Sequence, residues 1–145
     1  MVPVLENLGY SVSCLARNSE SLINKVGPKT QVFSGDMLDS DTLGPALKNI
    51  HTVFYLVHSM GSTKDFAQLD RAAAVNFAKS AESKKIKRII YLGGLGEGGG
   101  KLSPHLNSRH EVGDILRSSG IPVIELRASV IIGSGSLSFE LIRSL

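Results

Sequence analysis

Short apolar runs alternate along this chain with longer segments in which apolar residues recur every three or four positions. The runs at 11–16 (SVSCLA), 30–34 (TQVFS), 51–57 (HTVFYLV), 87–93 (KRIIYLG) and 121–127 (IPVIELR) read as strands. Helical periodicity between them predicts a short helix near 19–25, a helix near 41–49, a long one from about 64 to 84 and another from about 104 to 119. Residues 3–8 read as the tail of a helix, with Val4, Leu5 and Leu8 on one face and Gly9 as its stop, and a last helix begins near Ser136. Capping residues mark several boundaries. Asp39 or Ser40 stands as N-cap before Asp41, while Ser103 and Pro104 open a helix that Gly120 closes.

Strands that are apolar almost throughout require cover on both faces, which is the pattern of a parallel sheet between helices. The expected class is therefore α/β, a doubly wound, Rossmann-like parallel sheet. Residues 1–145 form one domain in this reading, with no internal repeat or linker. Such a fold normally opens with a strand and a tight glycine turn into its first helix. Here the chain starts inside a helix and stops inside the amphipathic SFELIRSL, so both ends look cut and the first strand and its phosphate loop are missing. In a sheet of order 3-2-1-4-5-6 that omission leaves a central gap. Strands 11–16 and 51–57 must then pair directly, or another chain, such as a second copy in a homo-oligomer, fills the space.

Composition narrows the partners. The net charge of +3 is too mild to argue for nucleic acid. The basic stretch Lys84-Lys85-Ile86-Lys87-Arg88 closes a predicted helix, where cations complement the dipole. No apolar run approaches the roughly 18 residues of a membrane span, and no basic leader opens the chain. One cysteine, Cys14, allows no internal disulfide, which points to a reducing, cytoplasmic setting.

Residues 94–99, GLGEGG, match the dinucleotide template G-x-G-x-x-G after a predicted strand. In a working loop the third glycine already lies in the helix whose N-terminus meets the phosphates. Here Gly99 is followed by Gly100-Lys101-Leu102-Ser103, and the helix begins only around Pro104. The match reads as a flexible loop bordering a site. Val57-His58-Ser59-Met60-Gly61 partly fits a hydrolase nucleophile elbow, with Val57 where the first glycine belongs and Asp65 and Asp70 as nominal acids. His105 and His110 lie about 140° apart around a helix and so do not face one metal. Asp36, Asp39 and Asp41 are explained by a strand end and a helix cap, so no metal is expected.

The blocks CLARN (14–18), SGDMLD (34–39), VFYLVHSMG (53–61), KRIIYLGGLG (87–96), SPHLNSRHEVGDIL (103–116) and ELRASVIIGSGS (125–136) follow one another along the chain. In order and spacing the sequence resembles the atypical, extended, NmrA-like branch of the short-chain dehydrogenase/reductase superfamily, which includes chains described as epimerase-like. The resemblance covers essentially the whole chain and places the phosphate loop before Met1. It implies that Arg17 and Asn18 read the adenosine ribose, with an arginine there favouring NADP over NAD. Asp36 and Met37 would lie beside adenine, Leu56, Val57 and His58 beside the cofactor's ribose, and Ala128, Ser129, Val130 and Ile131 along the nicotinamide. His105 stands where the family has its catalytic tyrosine and Arg109 where it has lysine, while the serine position falls near Gly93 or Gly94. The expectation is an NADP-dependent oxidoreductase with an altered site acting on an unidentified small molecule, in which His105 transfers the proton and Arg109 binds ribose. The alternatives are an NADP(H)-sensing regulator without turnover, and hydrolysis through Ser59.

Overall fold

The computed structural model describes residues 1–59, 65–96, 102–129, 131–133 and 136–144. Helix α1 spans Val2–Asn7, strand β1 Ser13–Ala16, helix α2 Glu20–Ile23 and strand β2 Gln31–Ser34. Strand β3 (Thr52–Tyr55) leads to the long helix α3 (Phe66–Ser83). Strand β4 (Arg88–Gly94), helix α4 (Pro104–Ser118), strand β5 (Val123–Ala128) and helix α5 (Leu137–Arg143) complete the order.

The boundaries follow local chemistry. Pro104 has no amide hydrogen to lose in the first turn of α4, and the Ser103 hydroxyl accepts the Leu106 N–H. Gly9 adopts φ +83° as α1 ends, donating to Glu6 O while Tyr10 donates to Leu5 O. The helix expected over 41–49 is not formed. A single 3₁₀ turn covers Ser40–Thr42, and turns continue to Asn49, which has φ +60°. Gly44 and Pro45 lie inside that segment, and proline removes an amide donor and crowds the preceding turn. Its apolar residues are nonetheless buried: Leu43, Ala46 and Leu47 all join the core. The basic run after α3 also differs from expectation. The helix ends at Ser83, so the run begins at the C-cap rather than within the last turn.

All strand pairings are parallel. β1 pairs with β2, Ser13 opposite Gln31, and β4 pairs with both β3 and β5, Thr52 opposite Arg88 and Ile89 opposite Val123. These strands form a two-stranded sheet, β1-β2, and a three-stranded sheet, β3-β4-β5. β1 and β3 do not pair, so the expected central gap is present and is not closed by direct pairing. The two sheets share one core. Leu15 and Met37 from the first and Val53 from the second pack against the cluster of Tyr55, Phe77, Ile89, Tyr91 and Leu116.

Helices α3 and α4 pack on each other, and α4 packs on β4 and β5. The buried stripe of α3 is mostly small, Ala73, Ala74, Ala78 and Ala81 around Phe77, and α4 contributes Ser108, Val112, Gly113 and Leu116. Small residues let the helices approach while Tyr55 stacks at a tilt on Phe77, ring centroids 4.9 Å apart. On the outer strand β5, Ile124 and Leu126 remain about half exposed. No described helix is long and apolar enough to cross a membrane.

Candidate active site

Parallel strands deliver their carboxyl ends, and the residues that follow them, to one side of each sheet, where ligands of open α/β folds bind. The expected site residues lie at or after strand ends, or in the first two turns of α4. Arg17 and Asn18 follow β1, Asp36 and Met37 follow β2, and Leu56, Val57 and His58 follow β3. Ala128 ends β5, with Ser129 and Ile131 beyond it; Val130 lies outside the described residues, as do Met60 to Lys64 and Glu97 to Lys101.

The residues after β1 and β2 carry free and committed groups. Arg17 is exposed and has no ion-pair partner among the described residues. Asn18 already spends its side-chain oxygen on the Ser21 N–H at 3.3 Å, where α2 begins. One Asp36 oxygen accepts the Leu38 N–H at 2.9 Å, a tight turn, and the other accepts no hydrogen bond from the described residues. The Met37 carbonyl accepts from Asn76 Nδ2 at 3.0 Å, tying the β2 end to α3. Leu56 and Val57, after β3, are 51% and 41% exposed.

The groups after β3 and on α4 are more densely packed. His105, on the first turn of α4, stacks on Phe66 with ring centroids 4.2 Å apart and planes 16° from parallel. Its ring centroid is 6.1 Å from that of His58. His58 Nδ1 lies 3.4 Å from Asp70 Oδ2, a long contact at the edge of hydrogen bonding. Asp70 is only 4% exposed; it accepts the Ser59 N–H at 2.8 Å and the Ser108 hydroxyl at 3.2 Å. Burial, followed by the positive charge of Arg109, holds the His58 imidazole below its ordinary pKa, although Asp70 pulls the other way.

Arg109 donates from Nη1 to the Leu92 carbonyl at 3.1 Å, and its own carbonyl accepts from the Tyr91 hydroxyl at 2.9 Å. Burial pushes Tyr91 up to about 12, and Tyr55 is displaced still further upward by burial and then by the nearby Asp70 charge. Neither phenol is poised to give or take a proton near neutral pH. The glycines at the family's serine position are fixed by packing. A Cβ on Gly94 would lie 2.6 Å from Leu106 Cδ2 and 3.1 Å from Arg109 Cδ, and one on Gly93 would meet Glu125 Oε1. Glu125 is itself held by Arg117 at 2.6 Å and Arg127 at 3.1 Å.

The structure thus brings together His58, His105 and Arg109, with Arg17 and Asp36 on the separate two-stranded sheet. Ser59 enters through its backbone N–H to Asp70, and Asp65 is the N-cap position of α3 without a side-chain cap bond. Sequence reasoning named Asp70 only as a nominal hydrolase acid and passed over Phe66 and Ser108. The signal was available. Residues 66, 70, 73, 74, 77, 78 and 81 form the inward stripe of α3, and a carboxylate in an apolar stripe demands partners.

Two cavities lie elsewhere. One of about 280 Å³ opens at the amino ends of β1 and β2, lined by Ser11, Ser13, Lys29, Lys48 and Asn49 among others. It is on the wrong side of the strands for the groups above.

A dinucleotide has a phosphorylated ribose, a flat base and a planar reactive ring. An unpaired guanidinium, a carboxylate oxygen at a strand end and exposed apolar residues beside imidazoles fit those parts. Solved structures of similar fold include the triphenylmethane reductase of Citrobacter sp. complexed with NADP(H), at 20% identity and a TM-score of 0.67 over 81% of this chain and 39% of that one. The NADPH-dependent quinone oxidoreductase of Escherichia coli complexed with NADPH matches at 20% identity and 0.69, covering 88% of this chain and 44% of that one. The UDP-glucose 4-epimerase of Thermotoga maritima with UDP-glucose matches at 14% and 0.73, covering 91% and 52%. This chain therefore spans about half the length of these structures, or less. A search of curated proteins found no match. The NAD(P)H-binding family model matches residues 1–134, and the chain belongs to that family.

Proposed function

We propose that the chain is the nucleotide-binding part of an NADP-dependent oxidoreductase acting on a small carbonyl- or quinone-like molecule in the cytoplasm. Residues 1–145 act as one NAD(P)-binding unit in this reading. The observation that carries it is the convergence of His58, His105 and Arg109 at the carboxyl ends of β3 and β4. Arg17 offers its guanidinium to a 2′-phosphate, Asn18 its free amide hydrogens to the ribose and Asp36 its second oxygen to the adenine amine. Leu56 and Val57 cover the nucleotide's apolar side, and Ala128 with Ser129 and Ile131 borders the reactive ring.

The bound nicotinamide would supply or accept the hydride. His105, held flat by Phe66, gives a proton to the substrate oxygen as that hydride arrives, so the carbonyl is reduced to an alcohol. Arg109 keeps one donor on the Leu92 carbonyl and uses the rest for ribose hydroxyls. Cys14 is a free thiol, in keeping with a reducing compartment.

A second reading is a sensor that binds NADP(H) without turnover. It is favoured by the packing at Gly94, where a side chain that could orient a carbonyl would meet Leu106 and Arg109. NADPH oxidation followed at its absorbance band, against a panel of small carbonyls and quinones, separates the two. The oxidoreductase reading expects consumption that His105→Ala lowers about 10²-fold or more. Binding without consumption across the panel contradicts it and leaves the sensor.

A further inference from the structure

Asp70 is the one charged residue among the fully buried side chains described, and the reaction outlined above does not use it. It lies on the inward stripe of α3 and is shared by three groups from two other segments. Oδ1 accepts the Ser59 N–H at 2.8 Å, and Oδ2 faces both the Ser108 hydroxyl at 3.2 Å and His58 Nδ1 at 3.4 Å. Helix α4 supplies Ser108 and the loop after β3 supplies His58 and Ser59, so the carboxylate pins the loop to both helices.

An ionised carboxylate only accepts hydrogen bonds, so a neutral imidazole that faces it through Nδ1 carries its proton there. Its other nitrogen is then left with a free lone pair. We infer that Asp70 is a positioning residue that fixes His58 in the Nδ1–H tautomer and makes His58 Nε2 a proton acceptor of the site. The inference rests on the oxidoreductase reading for its purpose, where His58 receives or returns the proton that His105 exchanges with substrate. The two ring centroids lie 6.1 Å apart. The titratable and charged groups bearing on His58 are Asp70 on α3 and Arg109 and His105 on α4. Arg109 and burial favour the neutral ring, which is the form that has a tautomer to fix.

The substitution Asp70→Asn makes the idea sharp. The asparagine oxygen is required by the Ser59 N–H, which places the NH₂ where Oδ2 stood. That group donates to His58 Nδ1, and the ring must shift its own proton to Nε2. Ser108→Ala removes a neighbour of Asp70 without altering what faces Nδ1.

The test is the long-range ¹H–¹⁵N imidazole spectrum of the full ¹⁵N-labelled chain, recorded above the ordinary histidine pKa. His58 should show a protonated Nδ1 and a bare Nε2 in the wild type and in Ser108→Ala, with the pattern inverted in Asp70→Asn. A wild-type His58 protonated at Nε2, or averaged between tautomers, overturns the inference. So does a folded Asp70→Asn chain with the wild-type pattern, and the wild-type spectrum decides alone if that variant does not fold. No cofactor is present in the measurement, so its failure is distinct from failure of the oxidoreductase reading, which the turnover assay reports.

Discussion

Gly94 shows how a single position constrains the chemistry around it. Arg109 crosses the end of β4 and Leu106 fills the space above it, so any Cβ at residue 94 meets both. The glycine and the arginine therefore form one packing solution. Gly94→Ser should lower stability by about 1–3 kcal/mol, read as a lower urea midpoint, rather than restore a substrate-orienting hydroxyl. An unchanged midpoint would show that the two side chains move aside freely. His58 makes a second prediction at this scale. Burial first, and then Arg109, hold its folded pKa below the ordinary 6.5. The unfolded chain accordingly binds a proton at a pH where the folded chain does not. Stability should fall as pH drops through 6.5 toward the folded pKa. His58→Gln should flatten that part of a series of urea midpoints against pH. A variant with the same slope as wild type would place the titration elsewhere. Single residues were legible where their chemistry is local. Arg17 at a strand end, Ser103 as a cap and Gly9 as a stop could be read directly. Asp70 could not, because its partners Ser59 and Ser108 come from separate elements, and only its place in an apolar stripe betrayed it.

Whole elements were legible where periodicity ran unbroken. The 18 residues of α3 and the 15 of α4 lie within two residues of their expected ends. The segment 41–49 has the same apolar spacing, but Gly44 and Pro45 remove the backbone support a helix needs. Its burial was predictable and its hydrogen bonding was not. The end of α3 carries a different strain. Lys85 N–H reaches Glu82 O at 2.9 Å and Ile86 N–H reaches Ala81 O at 3.0 Å, a paired closure that forces Lys85 to φ +58°. A side chain in that conformation is disfavoured, and glycine is not. Lys85→Gly should raise stability by ~0.5–1 kcal/mol in urea unfolding, net of the glycine's greater freedom in the unfolded chain. A loss of stability would mean that the Lys85 side chain contributes more than its backbone costs.

At the scale of the whole molecule, alternating strands and helices were enough to give a parallel α/β fold. The result is two sheets joined through one core rather than one continuous sheet. Which residues lie at the carboxyl ends of the strands followed from topology alone. How they are oriented did not follow, because it depends on packing between α3, α4 and the loop after β3. The central claim is that NADPH lies across those carboxyl ends with its 2′-phosphate on Arg17. The most direct test is a ¹H–¹⁵N titration of the chain with NADPH to millimolar concentration, which registers even weak binding. Shifts should concentrate at Arg17, Asn18, Asp36, Met37 and Leu56 to His58, should be smaller with NADH, and should fade at the adenosine end in Arg17→Ala. Shifts centred instead on Lys29, Lys48 and Asn49 at the opposite end of the strands, or no shifts at all, would contradict the account.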